Sequence, residues 1–156
     1  MSTDSPKYES IDASELAIGI VCASFNPNLT GALLDRVHNF LGKANLQNLL
    51  IERVPGSNEI PSGIDLLLKN QTFNCMVGLG VVIKGSTSHH HLVAEASGHA
   101  LQTIALQYHT PVINGIVVTD DIQSAEDRIT GHIDRGLEFA EAALQMAQLH
   151  KKWTKI

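Results

Sequence analysis

The stretch Asn74-Cys-Met-Val-Gly-Leu-Gly-Val-Val-Ile83 constrains this chain more than any other segment does. Past Asn74 its residues are apolar or glycine without alternation. Neither face of a strand built from it can stand in water, so the sheet it joins must be covered on both sides. Lys84-Gly85-Ser86-Thr87-Ser88 follows at once, and the residues from Ser88 onward predict a long helix. A buried strand that passes through a glycine-hydroxyl turn into a helix is part of a parallel strand-helix-strand unit.

The same alternation recurs along the chain. Leu16 to Ala23 is another apolar run, followed by Ser24-Phe25-Asn26-Pro27, where Asn26 is placed to cap a helix that Pro27 begins. Leu29, Leu33, Val37, Phe40 and Ala44 then return at helical spacing. A further run, Leu46 to Val54, ends at Pro55-Gly56-Ser57-Asn58 and leads to a helical face of Ile60, Ile64, Leu67 and Leu68. A fourth strand is predicted over Pro111 to Thr119, and the tail from Asp121 to about Lys151 reads as helix interrupted near Thr130-Gly131. Together these predict an α/β fold: a three-layer α/β/α sandwich with a four-stranded parallel sheet and right-handed crossovers, flavodoxin-like. A chain of 156 residues suits one domain, since domains commonly hold about 100 to 200 residues. Residues 1–13 are expected to form a flexible polar arm that can order against a neighbouring subunit, and residues 14–156 the domain.

Charge and composition exclude several classes. Lysine plus arginine is 11 against 16 acidic residues, a net −5 that offers no footprint for a nucleic-acid backbone or an anionic membrane. The opening residues lack a basic stretch followed by an apolar core, and no run reaches membrane-spanning length, so the expected location is the cytoplasm. Cys22 and Cys75 lie in strand-like apolar runs and are expected to be buried reduced thiols. With 44% hydrophobic and only 17% charged residues, part of the apolar surface is free to face a partner chain.

In parallel sheets ligands sit at the carboxyl ends of the strands, which points to four loops: Ser24 to Asn26, Pro55 to Glu59, Lys84 to His89, and Asn114 to Thr119. Gly85-Ser86-Thr87-Ser88, at a helix start, suits an oxyanion held by backbone N–H groups and hydroxyls, and equally suits a capped helix without a ligand. Among His89, His90 and His91, one ring beside a phosphate can move protons near neutral pH. Metal binding is the rival use. Consecutive helical residues point about 100° apart, and no paired ligand spacing accompanies the histidines, so no metal site is expected. Glu59 can accept hydrogen bonds from a polyol or simply favour a helix start, and Phe25 can stack on a planar ring or close the core.

Taken in order, Phe25-Asn26, Val54-Pro-Gly-Ser-Asn-Glu-Ile-Pro61, Gly80-Val-Val-Ile-Lys-Gly-Ser-Thr-Ser-His89, Pro111-Val-Ile-Asn-Gly115 and Ala125-Glu-Asp-Arg128 resemble the lumazine synthase family over about Ile18 to Leu149. The Ile-Lys-Gly-Ser-Thr wording is more similar to the fungal branch than to the common bacterial one. The resemblance implies condensation of 5-amino-6-(D-ribitylamino)uracil with 3,4-dihydroxy-2-butanone 4-phosphate to give 6,7-dimethyl-8-ribityllumazine, phosphate and water. It implies no metal and no organic cofactor. By position, His89 corresponds to the proton-transfer residue, and Arg128 with Gly85, Ser86 and Thr87 to the phosphate site. Phe25 corresponds to the pyrimidine-stacking residue, and Asn26 and Glu59 to ribityl contacts, Glu59 in the loop that also holds the substrate-binding positions Ser57 and Asn58. The backbone at Val81, Val82 and Ile83 corresponds to the ring-edge reader. Arg135 occupies the place of a basic residue reaching the pyrimidine from a neighbouring subunit, because the family's sites lie between subunits of a homopentamer. Some members pack twelve pentamers into a capsid.

Four features depart from the family. Asn58 stands where an aromatic residue is usual, Asn114 where a large apolar one is, and His90-His91 where an aromatic-acidic pair is. The segment from Thr130 to Gly136 is one residue shorter than usual. These changes leave room beside the synthase for two other readings: a paralogue acting on a different carbonyl substrate, and a non-catalytic flavin- or lumazine-binding protein.

Overall fold

A computed structural model describes residues 6–154 of the chain; residues 1–5 of the expected arm, and 155–156, lie outside it. The four apolar runs become strands β1 (Ala17–Ala23), β2 (Asn48–Val54), β3 (Cys75–Ile83) and β4 (Val112–Thr119). Between and after them come helices α1 (Pro27–Lys43), α2 (Ile60–Asn70), α3 (His89–Tyr108), α4 (Ile122–Ile129) and α5 (Arg135–Trp153). The sheet is wholly parallel, in the order β2-β1-β3-β4. This is the expected α/β sandwich, with the strand order of doubly wound flavodoxin-like sheets.

The uniformly apolar β3 lies between β1 and β4 and is buried from Cys75 through Val81. One core packs α1 and α5 against the sheet, with Leu33, Val37, Ala140 and Leu144 over Ile18, Ile20, Val77 and Leu79. The other packs α2 and α3, with Ile60, Ile64, Leu101 and Ile104 over Val21 and Met76. Both faces are thus covered, as the strand's composition requires. Cys22 and Cys75 are buried free thiols within these layers. No helix among the described residues is long and apolar enough to cross a membrane.

The helix breaks follow local chemistry. Asp121 caps α4 by accepting from Ser124 N at 2.7 Å, and Asp134 caps α5 by accepting from Leu137 N at 3.0 Å. The chain before β1 is irregular until Ala13, buried, donates its N–H to Ala44 O at 2.7 Å. Among the described residues no strand pairs with the outer side of β4, whose residues Asn114 and Val118 are exposed.

Candidate active site

The carboxyl ends of the strands gather most of the residues singled out above. Ser24 N and Phe25 N both donate to Pro55 O at 3.1 Å, which ties the β1 loop to the β2 loop. The Phe25 ring is 70% exposed beside the turn, and a methyl group built on Gly56 would stand 3.4 Å from its Cδ2. Of the two uses open to Phe25, core closure is therefore excluded, and the ring presents a free face at the rim.

Asn26 differs from the expected helix cap. It precedes Pro27 at the helix start, in the left-handed region at φ 56°, but its side chain caps nothing. The Asn26 Nδ2 instead donates to Val81 O at 2.9 Å. The reason lies in the sheet: the β1–β3 ladder ends at Cys22–Leu79, and beyond it β3 has no strand on that side. The amide takes the place of a strand donor and so fixes the β1 loop against the β3 backbone at Val81.

In the β2 loop, Ser57–Glu59 forms a single 3-10 turn. Glu59 Oε2 accepts from Gly56 N at 2.9 Å, so this carboxylate favours the turn through one of its two oxygens. Ser57 is buried, and its carbonyl accepts from Ser97 Oγ of α3 at 3.1 Å. Asn58 is exposed.

After β3, Lys84 N donates to Thr119 O at 2.9 Å, and residues 84–88 stand exposed before α3 begins. His89 is exposed at that start, with its N–H 3.5 Å from Thr87 Oγ1. His90 is only 6% exposed, with Nδ1 3.2 Å from the Thr87 carbonyl. A cleft of about 270 Å³ brings His90 and His91 together with Arg128, Thr119, Asp120, Ser124 and Val118. Arg128 Nη1 donates to Ser124 O at 3.0 Å, and none of the carboxylates described pairs with it at ion-pair distance. A guanidinium carries five N–H donors, so this bond leaves Arg128 with others at the cleft it lines. His89 is outside the lining of this cleft.

Two predicted residues stay apart from the rest. Asn114 pairs in register with Gly78, whereas the end of the site lies at Val81–Val117. Three residues of strand separate them, roughly 10 Å. Asn114 Oδ1 accepts from its own strand's Ile116 N at 3.2 Å on the open edge of the sheet. Arg135 begins α5 and pairs with Glu138. Neither lines the cleft that holds Arg128.

Sequence reasoning reached Thr119 only as the end of a candidate loop and left out Asp120, Ser124 and Ser97. A signal for the buried His90 was present: Ser97, Leu101 and Ile104 mark the inner face of α3, and the helical period carried back from Ser97 lands on His90.

Comparisons with known proteins identify the family. The family model described as 6,7-dimethyl-8-ribityllumazine synthase matches residues 15–151. A protein named 6,7-dimethyl-8-ribityllumazine synthase from Polaromonas sp. (strain JS666) is 33% identical over 90% of this chain and 91% of its own. Proteins of the same name from Parabacteroides distasonis and Nitrosomonas europaea are 36% and 34% identical, over 86% and 89% of this chain and 86% and 84% of theirs.

Proposed function

Since the chain belongs to the 6,7-dimethyl-8-ribityllumazine synthase family, we propose that it performs that synthesis at the carboxyl ends of β1 to β4, with the residues gathered there. It is a transferase of riboflavin biosynthesis: it condenses 5-amino-6-(D-ribitylamino)uracil with 3,4-dihydroxy-2-butanone 4-phosphate, releasing 6,7-dimethyl-8-ribityllumazine, phosphate and water. The non-catalytic reading and the different-carbonyl reading gain no support, since the relatives named above carry the synthase name.

The observation that carries the assignment of the site is the junction at Asn26. Its bond to Val81 O puts an exposed aromatic ring, a carboxylate and a strand-end backbone side by side. Phe25 stacks on the pyrimidine, Glu59 accepts from ribityl hydroxyls, and the main chain at Val81 to Ile83 reads the polar ring edge. Arg128 and the Gly85-Ser86-Thr87 loop hold the phosphate, and His89 moves the protons. The ring amine adds to the ketone and water leaves. The C–O bond to phosphate then breaks, phosphate departing with the electron pair, and the ribityl-bearing amine closes the ring onto the carbonyl so unmasked, expelling a second water.

The enzyme works as a homo-oligomeric ring in the cytoplasm, a pentamer that stands alone or is one of twelve in a capsid. The support is the position of Asn114, which lies three residues of strand away from the Val81–Val117 end and is exposed on a sheet edge where a neighbour's site can meet it. Sedimentation with a turnover assay tests both parts. A stable monomer with full activity would refute the shared site, and an inactive, fully assembled oligomer would refute the residue roles.

A further inference from the structure

His90 and His91 replace the family's aromatic-acidic pair, and the structure gives them a place separate from His89. Successive residues of a helix turn by about 100°, so His91 points about 200° away from His89 and cannot reach back to orient its ring. It faces the cleft of about 270 Å³ that also holds Arg128. We propose that His91, braced by His90, binds the phosphate end of the substrate alongside Arg128 and so sets the affinity for a phosphorylated over an unphosphorylated ketone. The proposal rests on the synthase reading above and adds a residue to its phosphate end.

Three observations carry it. First, His90 is built into the wall. A carbonyl oxygen only accepts, so the 3.2 Å contact with Thr87 O makes Nδ1 the donor. Its Nε2 is the one buried side-chain polar atom without a partner found among the described residues, at the edge of a cleft whose other lining groups are polar or charged save Val118. Second, the His91 ring lies against that fixed ring with centroids 3.9 Å apart at a 40° tilt. A braced side chain loses little freedom when it engages a ligand. Third, Arg128 spends one N–H on Ser124 O and pairs with none of the described carboxylates at close range.

The lining also explains why a second donor matters. Asp120 contributes a carboxylate to the same cleft, which works against an anion. The acidic residue usual at position 91 would add another. An imidazole there offers an N–H donor whether neutral or protonated, and the balance of the lining shifts toward holding phosphate.

The test uses the assembled protein with inorganic phosphate as the probe, followed by phosphorus NMR line broadening, beside steady-state kinetics with both substrates. His91→Ala is expected to weaken phosphate binding and raise the KM for the phosphorylated ketone by about tenfold each, the effect of one hydrogen bond to a charged group. The KM for the pyrimidine stays as it was. His91→Asp loses more, and His91→Gln, which keeps an N–H donor, recovers part. If His91→Ala leaves phosphate binding and the ketone KM within twofold of the parent while Arg128→Ala abolishes both, this inference is overturned and the synthase site stands. If neither variant changes phosphate binding, the phosphate end lies elsewhere and the site assignment falls with it. A lower kcat with phosphate binding and ketone KM unchanged would make His91 a proton-transfer partner, which also overturns the proposal.

Discussion

Asn26 meets two demands at once, and three replacements separate them. Its backbone sits at φ 56°, ψ 58°, and its amide supplies the donor that Val81 O lacks beyond the end of the β1–β3 ladder. A left-handed conformation costs an ordinary side chain roughly 1–2 kcal/mol, while glycine adopts it freely. A neutral hydrogen bond at a partly buried carbonyl contributes about 1 kcal/mol. Asn26→Gly therefore loses only the bond, about 1 kcal/mol. Asn26→Ala loses the bond and adds the backbone cost, about 2–3 kcal/mol. Asn26→Asp keeps a side chain that tolerates this backbone but faces the carbonyl with a carboxylate that cannot donate, so it falls between the two. At roughly 2–4 °C per kcal/mol for a domain of this size, the melting temperature drops by about 3 °C for Gly and 5–10 °C for Ala. Thermal and urea unfolding at one fixed protein concentration measure this, because the stability of an oligomer moves with concentration. Equal loss for Gly and Ala would refute the backbone part of the reasoning. A Gly variant as stable as the parent would refute the bond.

Other expectations follow from the same geometry. His89→Ala should lower turnover by about 10²- to 10⁴-fold, the usual worth of a positioned proton-transfer group, with sedimentation unchanged. Arg128→Ala should act chiefly on the KM for the phosphorylated ketone, and equal activity of both variants with the parent would remove their roles. The hydrogen bond from Ser124 N holds the Asp121 carboxyl below its ordinary range. A depressed carboxyl pKa stabilises above the unfolded value and stops doing so as pH falls through the folded one. Asp121→Ala should therefore be less stable than the parent at neutral pH, and the gap should close below about pH 4; a gap that widens on acidification would reverse the assignment. Burial pushes both thiols up, Cys75 most strongly, with Arg53 pulling Cys22 partly back. A thiol reagent at pH 8 should find neither cysteine in the native protein and both after denaturation, and fast native labelling would contradict their burial.

The sheet was readable because β3 carries its burial in its composition. An apolar run without alternation can only be a covered strand, and β1 repeats the signal. β2 was less clear: its burial pattern mixes exposed and half-buried positions at the sheet edge, and the strand begins at Asn48, two residues inside the expected run. Asn26 shows what spacing alone misses. A capping residue before Pro27 is visible in the sequence, but the carbonyl it serves depends on where a distant ladder stops. Glu59 and Phe25 each had two local readings that only neighbours could separate, namely Gly56 N for the carboxylate and open space for the ring. For Asn114 and Arg135 the limit is of another kind, since a position in one chain does not state which subunit's site it serves.

The most direct test of the central claim is a steady-state assay that follows both products at once, the fluorescent lumazine and inorganic phosphate, from 5-amino-6-(D-ribitylamino)uracil and 3,4-dihydroxy-2-butanone 4-phosphate. The account predicts equal amounts of lumazine and phosphate, formed far faster than the uncatalysed background and lost in His89→Ala. Formation no faster than background by a correctly assembled oligomer, or phosphate release without lumazine, would contradict it.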